Sequence, residues 1–162
     1  KDDRGYFFES FNNRIFENHT SSLIDFVQDN QSKSEKNVLR GLHFQNPPFD
    51  QGKLVRVISG SVLDIAVDIR KNSSTYGQHF KIILDTQKQQ MLWIPSGFAH
   101  GFVSLEDDTI FSYKCTNYYH KDSEGCILYN DNKINIDWEV QNPILSKKDE
   151  IGENFSTFVS QF

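Results

Sequence analysis

The sequence predicts a mainly β fold, an antiparallel sandwich or barrel of jelly-roll type with short helices, one of them near the C-terminus. Three observations carry this. Aromatic residues make up 14% of the 162 residues, β-branched residues are frequent and there are four prolines, a composition suited to pleated, half-buried surfaces. Short apolar segments recur at roughly ten-residue spacing, as in all-β folds. Turn-forming clusters separate most of them.

In chain order the expected strands are Gly5–Glu9, Asp25–Gln28, Val38–Phe44, Lys53–Ile58, Val62–Asp68 and Phe80–Leu84. Met91–Ile94, Gly101–Leu105, Ile110–Thr116, Gly125–Tyr129 and Ile134–Trp138 follow. The punctuation between them comes from Ser59-Gly60, the Lys71–Ser74 cluster, Pro95-Ser96-Gly97, Glu106-Asp107-Asp108 and Asn130-Asp131-Asn132, residues that favour turns for local steric or hydrogen-bonding reasons. Two helices are expected. Ser10–Asn18 places Phe11, Ile15 and Phe16 on one face. After Leu145, Ser146 followed by Asp149 reads as a helix-capping pair. Ile151, Phe155, Phe158 and Val159 then keep helical spacing, with Gly152 as the weak point.

No repeat, low-complexity tract or long linker interrupts residues 1–162, which reads as a single domain. Seventeen basic against 22 acidic residues give a net charge of −5, which argues against nonspecific nucleic-acid binding and against a basic membrane anchor. No apolar run is long enough to span a bilayer, and Lys1-Asp2-Asp3-Arg4 is not a secretory leader. Cys115 and Cys126 form neither a disulfide framework nor a metal-type pair. The three sequons, at Asn18, Asn72 and Asn154, are read as chance matches. The expected setting is cytoplasmic.

The histidines are few enough to weigh singly. His100 ends the stretch Pro95-Ser96-Gly97-Phe98-Ala99-His100, a turn that aims the first residues of a strand into a barrel mouth and matches the second half of the cupin signature. A metal-binding cupin also needs an earlier His-x-His and a downstream Glu. Here that place holds only His43, in Leu42-His43-Phe44 with no paired histidine, so no metal site is expected.

His43 lies in Leu39-Arg40-Gly41-Leu42-His43-Phe44. It is either a histidine satisfied at the core edge or a general base, since an imidazole titrating at about 6.5 accepts a proton at neutral pH. Strict alternation puts Leu39, Gly41 and His43 on one face and Arg40 on the other; Arg40 and His43 reach one pocket only if Gly41 marks a bulge. Lys53 shares the apolar face of Val55 and Val57, either snorkelling to the rim or held inside as a cation for an oxyanion. Tyr113, beside Phe111 and Cys115, is either a core residue or a proton donor. Arg4, Arg40, Lys53 and Lys148 are cations that would hold a diphosphate if they converge.

Together these stretches resemble the dTDP-4-dehydrorhamnose 3,5-epimerase family, cupin-fold enzymes of nucleotide-sugar metabolism. The matching segments run collinearly from Asp3-Arg4-Gly5 and Gln28-Asp29-Asn30 through Leu39–Gln45 and Gln51–Arg56. They continue through Trp93–Phe102, Tyr113–Tyr119 and Glu124-Gly125 to Leu145–Asp149. The resemblance implies inversion of C3 and C5 of dTDP-4-keto-6-deoxy-D-glucose through an enolate, with no cofactor. It places the base on His43 with Asp149 as its partner, the acid on Tyr113, and Lys53 near the enolate oxygen. It assigns nucleotide contacts to Arg4, Glu9, Gln28, Asp29, Asn30, Arg40, His100, Tyr119, Glu124 and Lys148, with Tyr119 stacking on thymine, and it implies a homodimer. The shared motifs leave two alternatives open: an epimerase acting at one centre or on a related nucleotide sugar, and a silent sugar-nucleotide-binding cupin.

Overall fold

A computed structural model describes residues 2–20 and 23–162. Its elements are helix α1 (Asn13–Thr20), strands β1 (Gln28–Ser34), β2 (Leu39–Gln45), β3 (Lys53–Ser59), β4 (Ser61–Asp68) and β5 (His79–Asp85), then β6 (Met91–Ile94), β7 (Phe98–Ser104), β8 (Thr109–Cys115) and β9 (Glu124–Cys126), and helix α2 (Lys147–Glu150). All strand pairs are antiparallel. They form a four-stranded sheet in the order β1-β8-β3-β6 and a five-stranded sheet in the order β5-β4-β7-β2-β9.

The period of two along each strand sorts residues between two apolar clusters. Between the sheets, Val55, Val57 and Phe111 of one meet Val62, Ala66 and Phe102 of the other. On the far face of the five-stranded sheet, Leu39, Leu63, Ile65, Val67 and Val103 are covered by Ile127, Ile134, Trp138 and Phe155 from the C-terminal third. Strand β4 therefore has both faces covered and is buried throughout, which is why it reads as a nearly continuous apolar run. A buried carboxylate closes the end of this strand. Asp68 accepts hydrogen bonds from Arg70 Nε at 2.9 Å, Ser73 Oγ at 2.6 Å and Thr75 Oγ1 at 2.6 Å.

Several expected elements differ. Gly5–Glu9 is not a strand; only an Asp2–Gly5 bridge forms, and Tyr6 and Phe7 stand exposed. The strand expected at Asp25–Gln28 instead begins at Gln28 and runs through the polar Gln-Asp-Asn-Gln-Ser-Lys-Ser segment. Its inner side faces a polar cleft, so it carries no apolar alternation. The first helix is shifted to Asn13–Thr20, where Phe16 packs against Phe26 and Trp93. Ile134–Trp138 is irregular, with both end residues buried and Trp138 Nε1 donating to the Tyr129 carbonyl at 2.7 Å.

The C-terminal helix stops after one turn. Ser146 caps it as expected, but the chain then bridges to Ile127 through Glu153, which bonds on both sides to the Cys126 and Leu128 backbone. A Cβ on Gly152 would lie 2.7 Å from the Leu128 nitrogen. The apolar spacing of Phe155 and Phe158 serves packing on Tyr76 and Phe44 rather than a helix.

Candidate functional site

One end of the space between the sheets is polar, because β2, β3, β7 and β8 each point a hydrophilic side chain inward there. Strand β2 depends on Gly41 for this. Register shifts between Arg40 and His43, and Gly41 takes φ +140°, where a Cβ would meet the Gly101 Cα and lie 3.0 Å from the His100 carbonyl oxygen. The extra residue inverts the alternation. Leu39, Leu42 and Phe44 join the outer cluster while Arg40 and His43 both line the cleft. Strict alternation would have placed them on opposite faces; the bulge reconciles them.

The cleft has two adjoining lobes. One, about 330 Å³, is lined by Arg40, His43, Lys53, His100, Tyr113 and Asp149, among others. The other, about 300 Å³, includes Gln28, Asn30, Gln45, Tyr119 and Glu124. His43, Lys53 and Tyr113 belong to both and so stand at the junction.

His43 Nε2 lies 2.6 Å from Asp149 Oδ1, a contact between residues 106 positions apart. Asp149 is delivered by α2 and is only 2% exposed. Burial alone would raise its pKa, but the hydrogen bonds from His43 and Ser146 outweigh that and hold it below the ordinary carboxylate value. An ionised carboxylate only accepts, so Nε2 carries the proton of this contact, which leaves the lone pair of a neutral imidazole on Nδ1.

Burial pushes the Tyr113 hydroxyl up to about 12, so it stays protonated. Lys53 is half-buried at the junction of the lobes; desolvation lowers its pKa, countered by Cys115, Glu124 and Asp64.

His100 does line the cleft, but its Nε2 lies 3.0 Å from each oxygen of Asp64, and both side chains are buried. Asp64 escaped the sequence reading. Its signal was an acid in the middle of the apolar Val62–Val67 run, on the inward parity of Val62 and Ala66. Tyr119 donates its hydroxyl to Glu124 at 3.0 Å and its backbone N–H to Gln28 at 2.9 Å. Glu124 in turn pairs with Lys148, and Arg40 donates to Ser34 at 3.1 Å.

Three expected contacts lie elsewhere. Asp29 has outward parity on β1 and pairs with Lys114 at 3.0 Å. Arg4 is exposed and bound to Asp2, and Glu9 accepts from Asn12 at 3.0 Å. None of the three lines either lobe.

For a metal, His43, Cys126 and Asp149 are the one set among the described residues whose donor atoms lie within 4.8 Å of one another. Two features oppose ligation there. His43 and Asp149 already satisfy each other, and burial pushes the Cys126 thiol up to about 11, away from the thiolate a metal needs.

A family model described as dTDP-4-dehydrorhamnose 3,5-epimerase matches residues 1–157. The dTDP-4-dehydrorhamnose 3,5-epimerase of Salmonella typhimurium (strain LT2) is 56% identical over 149 residues, spanning 91% of this chain and 81% of the relative. A dTDP-6-deoxy-D-glucose-3,5-epimerase from Legionella pneumophila Philadelphia 1, solved in complex with dTDP-4-keto-L-rhamnose, is 46% identical with a TM-score of 0.94, covering 98% of this chain and 85% of that one. A 3′-monoepimerase from Streptomyces bikiniensis, in complex with dTDP-quinovose, is 29% identical with a TM-score of 0.91, covering 96% and 79%.

Proposed function

This chain belongs to the dTDP-4-dehydrorhamnose 3,5-epimerase family, and from that premise we propose that His43, charged and oriented by Asp149, is the base that inverts C3 and C5 of dTDP-4-keto-6-deoxy-D-glucose. The enzyme is an isomerase whose product is dTDP-4-keto-L-rhamnose. The observation that carries the residue roles is the 2.6 Å His43–Asp149 contact, standing where both lobes of the cleft meet Lys53 and Tyr113.

The chemistry follows from the ketone at C4, which acidifies the neighbouring C–H bonds. His43 Nδ1 takes the proton from carbon, and the C–H electron pair moves to form the enolate, leaving negative charge on the C4 oxygen. Asp149 stabilises the imidazolium that results. Lys53, at the junction of the lobes, faces the oxyanion, and its ammonium form stabilises the charge that develops there. Tyr113 returns a proton to carbon from the opposite face, and its elevated pKa keeps that proton available until the carbanion demands it. Before the second carbon reacts, the imidazolium gives its proton to solvent and the Tyr113 phenolate takes one back; the same cycle there then completes the inversion with no net change in protons or electrons.

Thymidine diphosphate occupies the remainder of the cleft, with Arg40 and Lys148 on the diphosphate, Tyr119 stacking on the base, and Gln28, Asn30, His100 and Glu124 completing the contacts. Arg4 and Glu9 do not reach the cleft of their own chain. They act across a homodimer, in which the arm bearing the exposed Tyr6 and Phe7 lies on the partner. The two free thiols, Cys115 and Cys126, fit a reducing cytoplasm, and no helix among the described residues is long and apolar enough to cross a membrane.

Incubation with dTDP-4-keto-6-deoxy-D-glucose, followed by proton NMR, tests the reaction. The reading expects the L-configured product, whereas a product inverted at C3 alone would move the chain to the single-centre class. Light scattering at micromolar concentration tests the dimer, and a monomer mass would contradict it.

A further inference from the structure

Asp149 carries more hydrogen bonds than the pairing with His43 requires. Its Oδ1 accepts from His43 Nε2 at 2.6 Å and from the Gly41 backbone N–H at 3.4 Å, while its Oδ2 accepts from the Ser146 hydroxyl at 2.6 Å. Ser146 Oγ also accepts from the Asp149 backbone N–H at 3.3 Å as the cap of α2. A single hydroxyl thus faces both the start of the helix and the buried oxygen of the carboxylate.

We propose that Ser146 is a positioning residue for proton transfer: its donated hydrogen bond pins Asp149 Oδ2 and so presents Oδ1 to His43. This inference rests on the assignment of His43 and Asp149 as the base pair. A carboxylate on a one-carbon stem rotates freely about its last torsion unless both oxygens are held. Here one oxygen is held by the Gly41 bulge and the imidazole, and the other by Ser146. The same donation stabilises the anion, so the proton taken from substrate stays on the imidazole rather than passing to Asp149.

The two jobs of Ser146 have different chemical needs. Capping calls for a residue that tolerates the helix entry, and glycine caps nearly as well as serine. Positioning calls for an O–H donor, which glycine lacks and threonine keeps. Ser146→Gly therefore deletes the positioning bond while largely sparing the cap, and Ser146→Thr keeps both.

In Ser146→Gly, kcat should fall between about 10- and 100-fold, the scale of a displaced outer contact or a misplaced reacting group. KM should change by less than about twofold, as for a transition-state effect. Ser146→Thr should restore kcat to within about threefold. A second readout does not need turnover. The proton on His43 Nε2, bonded to a buried carboxylate, should give a low-field proton NMR signal that disappears in His43→Asn. That signal should shift or broaden in Ser146→Gly and persist in Ser146→Thr. If the unmodified enzyme turned over no substrate, the reaction assignment would fail, and the low-field signal would still judge Ser146. A wild-type kcat in Ser146→Gly, a loss carried by KM, or an unmoved signal would overturn the proposal.

Discussion

Replacing Asp149 by Asn probes the site with almost no change in shape. The carboxylate is 2% exposed and its Oδ1 sits 2.6 Å from His43 Nε2. With charge centres about 4 Å apart and an effective dielectric of ~20, an imidazolium–carboxylate attraction is worth about 4 kcal/mol. Losing it as His43 takes up the substrate proton corresponds to about three powers of ten in rate. The amide can also donate to Nε2, which would place the imidazole proton on Nδ1 and block the base; the equivalent change in a Ser-His-Asp triad costs about 10⁴ in kcat. The expected outcome is a kcat lowered by about 10³-fold or more, with KM within about threefold, because Asp149 stabilises charge that exists only after proton transfer. Initial rates by NMR and nucleotide affinity by calorimetry measure the two parts. A kcat loss under about tenfold, or a loss appearing in KM, would show that Asp149 does not stabilise the imidazolium formed in the reaction.

Other expectations follow from the same structure. Tyr113→Phe should slow formation of the inverted product by about 100-fold or more while solvent exchange at carbon persists, since the acid is lost and the base remains; equal losses in both would remove Tyr113 from the acid role. Gly41→Ala should destabilise the fold by about 3 kcal/mol or more, because the φ of +140° and the approach to Gly101 leave no space for a methyl group; a denaturant midpoint equal to wild type would contradict the bulge. Burial works to raise the pKa of Asp68, but hydrogen bonds from Arg70, Ser73 and Thr75 dominate and hold it far below its ordinary 3.8. The unfolded chain therefore binds that proton first, so the stability Asp68 contributes is present above about pH 4 and is lost as pH falls toward the folded value. Asp68→Asn should be less stable at pH 7 by about 2–4 kcal/mol and should lose stability less steeply below pH 4, as acid unfolding curves would record.

The legible parts of the chain were those whose environment differs between two faces. Strands β3 and β8 show alternation because one side meets the inter-sheet core, and turn clusters such as Ser59-Gly60 and Glu106-Asp107-Asp108 bound them; β7, covered on both faces like β4, was marked by its Pro95-Ser96-Gly97 turn. The His43 stretch was legible as a conditional: a strand with Arg40 and His43 both inward requires an extra residue, and Gly41 is the one residue there that tolerates the conformation. Strand β1 was not legible, because a strand lining a polar cleft has no apolar face to announce it. The C-terminal helix was over-read because Ile151, Phe155 and Phe158 imitate helical spacing while Phe155 and Phe158 pack on an irregular path whose constraint, the close approach of Gly152 to Leu128, is nonlocal. Of the site, the pairing of His43 with Asp149 spans 106 positions and came by family resemblance rather than by pattern. Asp64 was visible as an acid in an apolar run, yet only the register of β4 against β7, pairing Ala66 with His100, brings it to His100. Arg4, Glu9 and Asp29 fell outside the cleft because side-chain chemistry alone does not say where an N-terminal arm lies or which face of a strand a residue takes.

In the proposed mechanism one base, His43 paired with Asp149, removes the protons at both carbons flanking the ketone, and this is the step to challenge. Its most direct test is solvent deuterium incorporation into dTDP-4-keto-6-deoxy-D-glucose, read by NMR at C3 and C5, for the unmodified enzyme and for His43→Ala. Deuterium should enter both positions with the first and neither with the second, and both should retain binding of thymidine diphosphate. Deuterium continuing to enter at either carbon in His43→Ala would mean that another group is the base there and that His43 does not serve both centres.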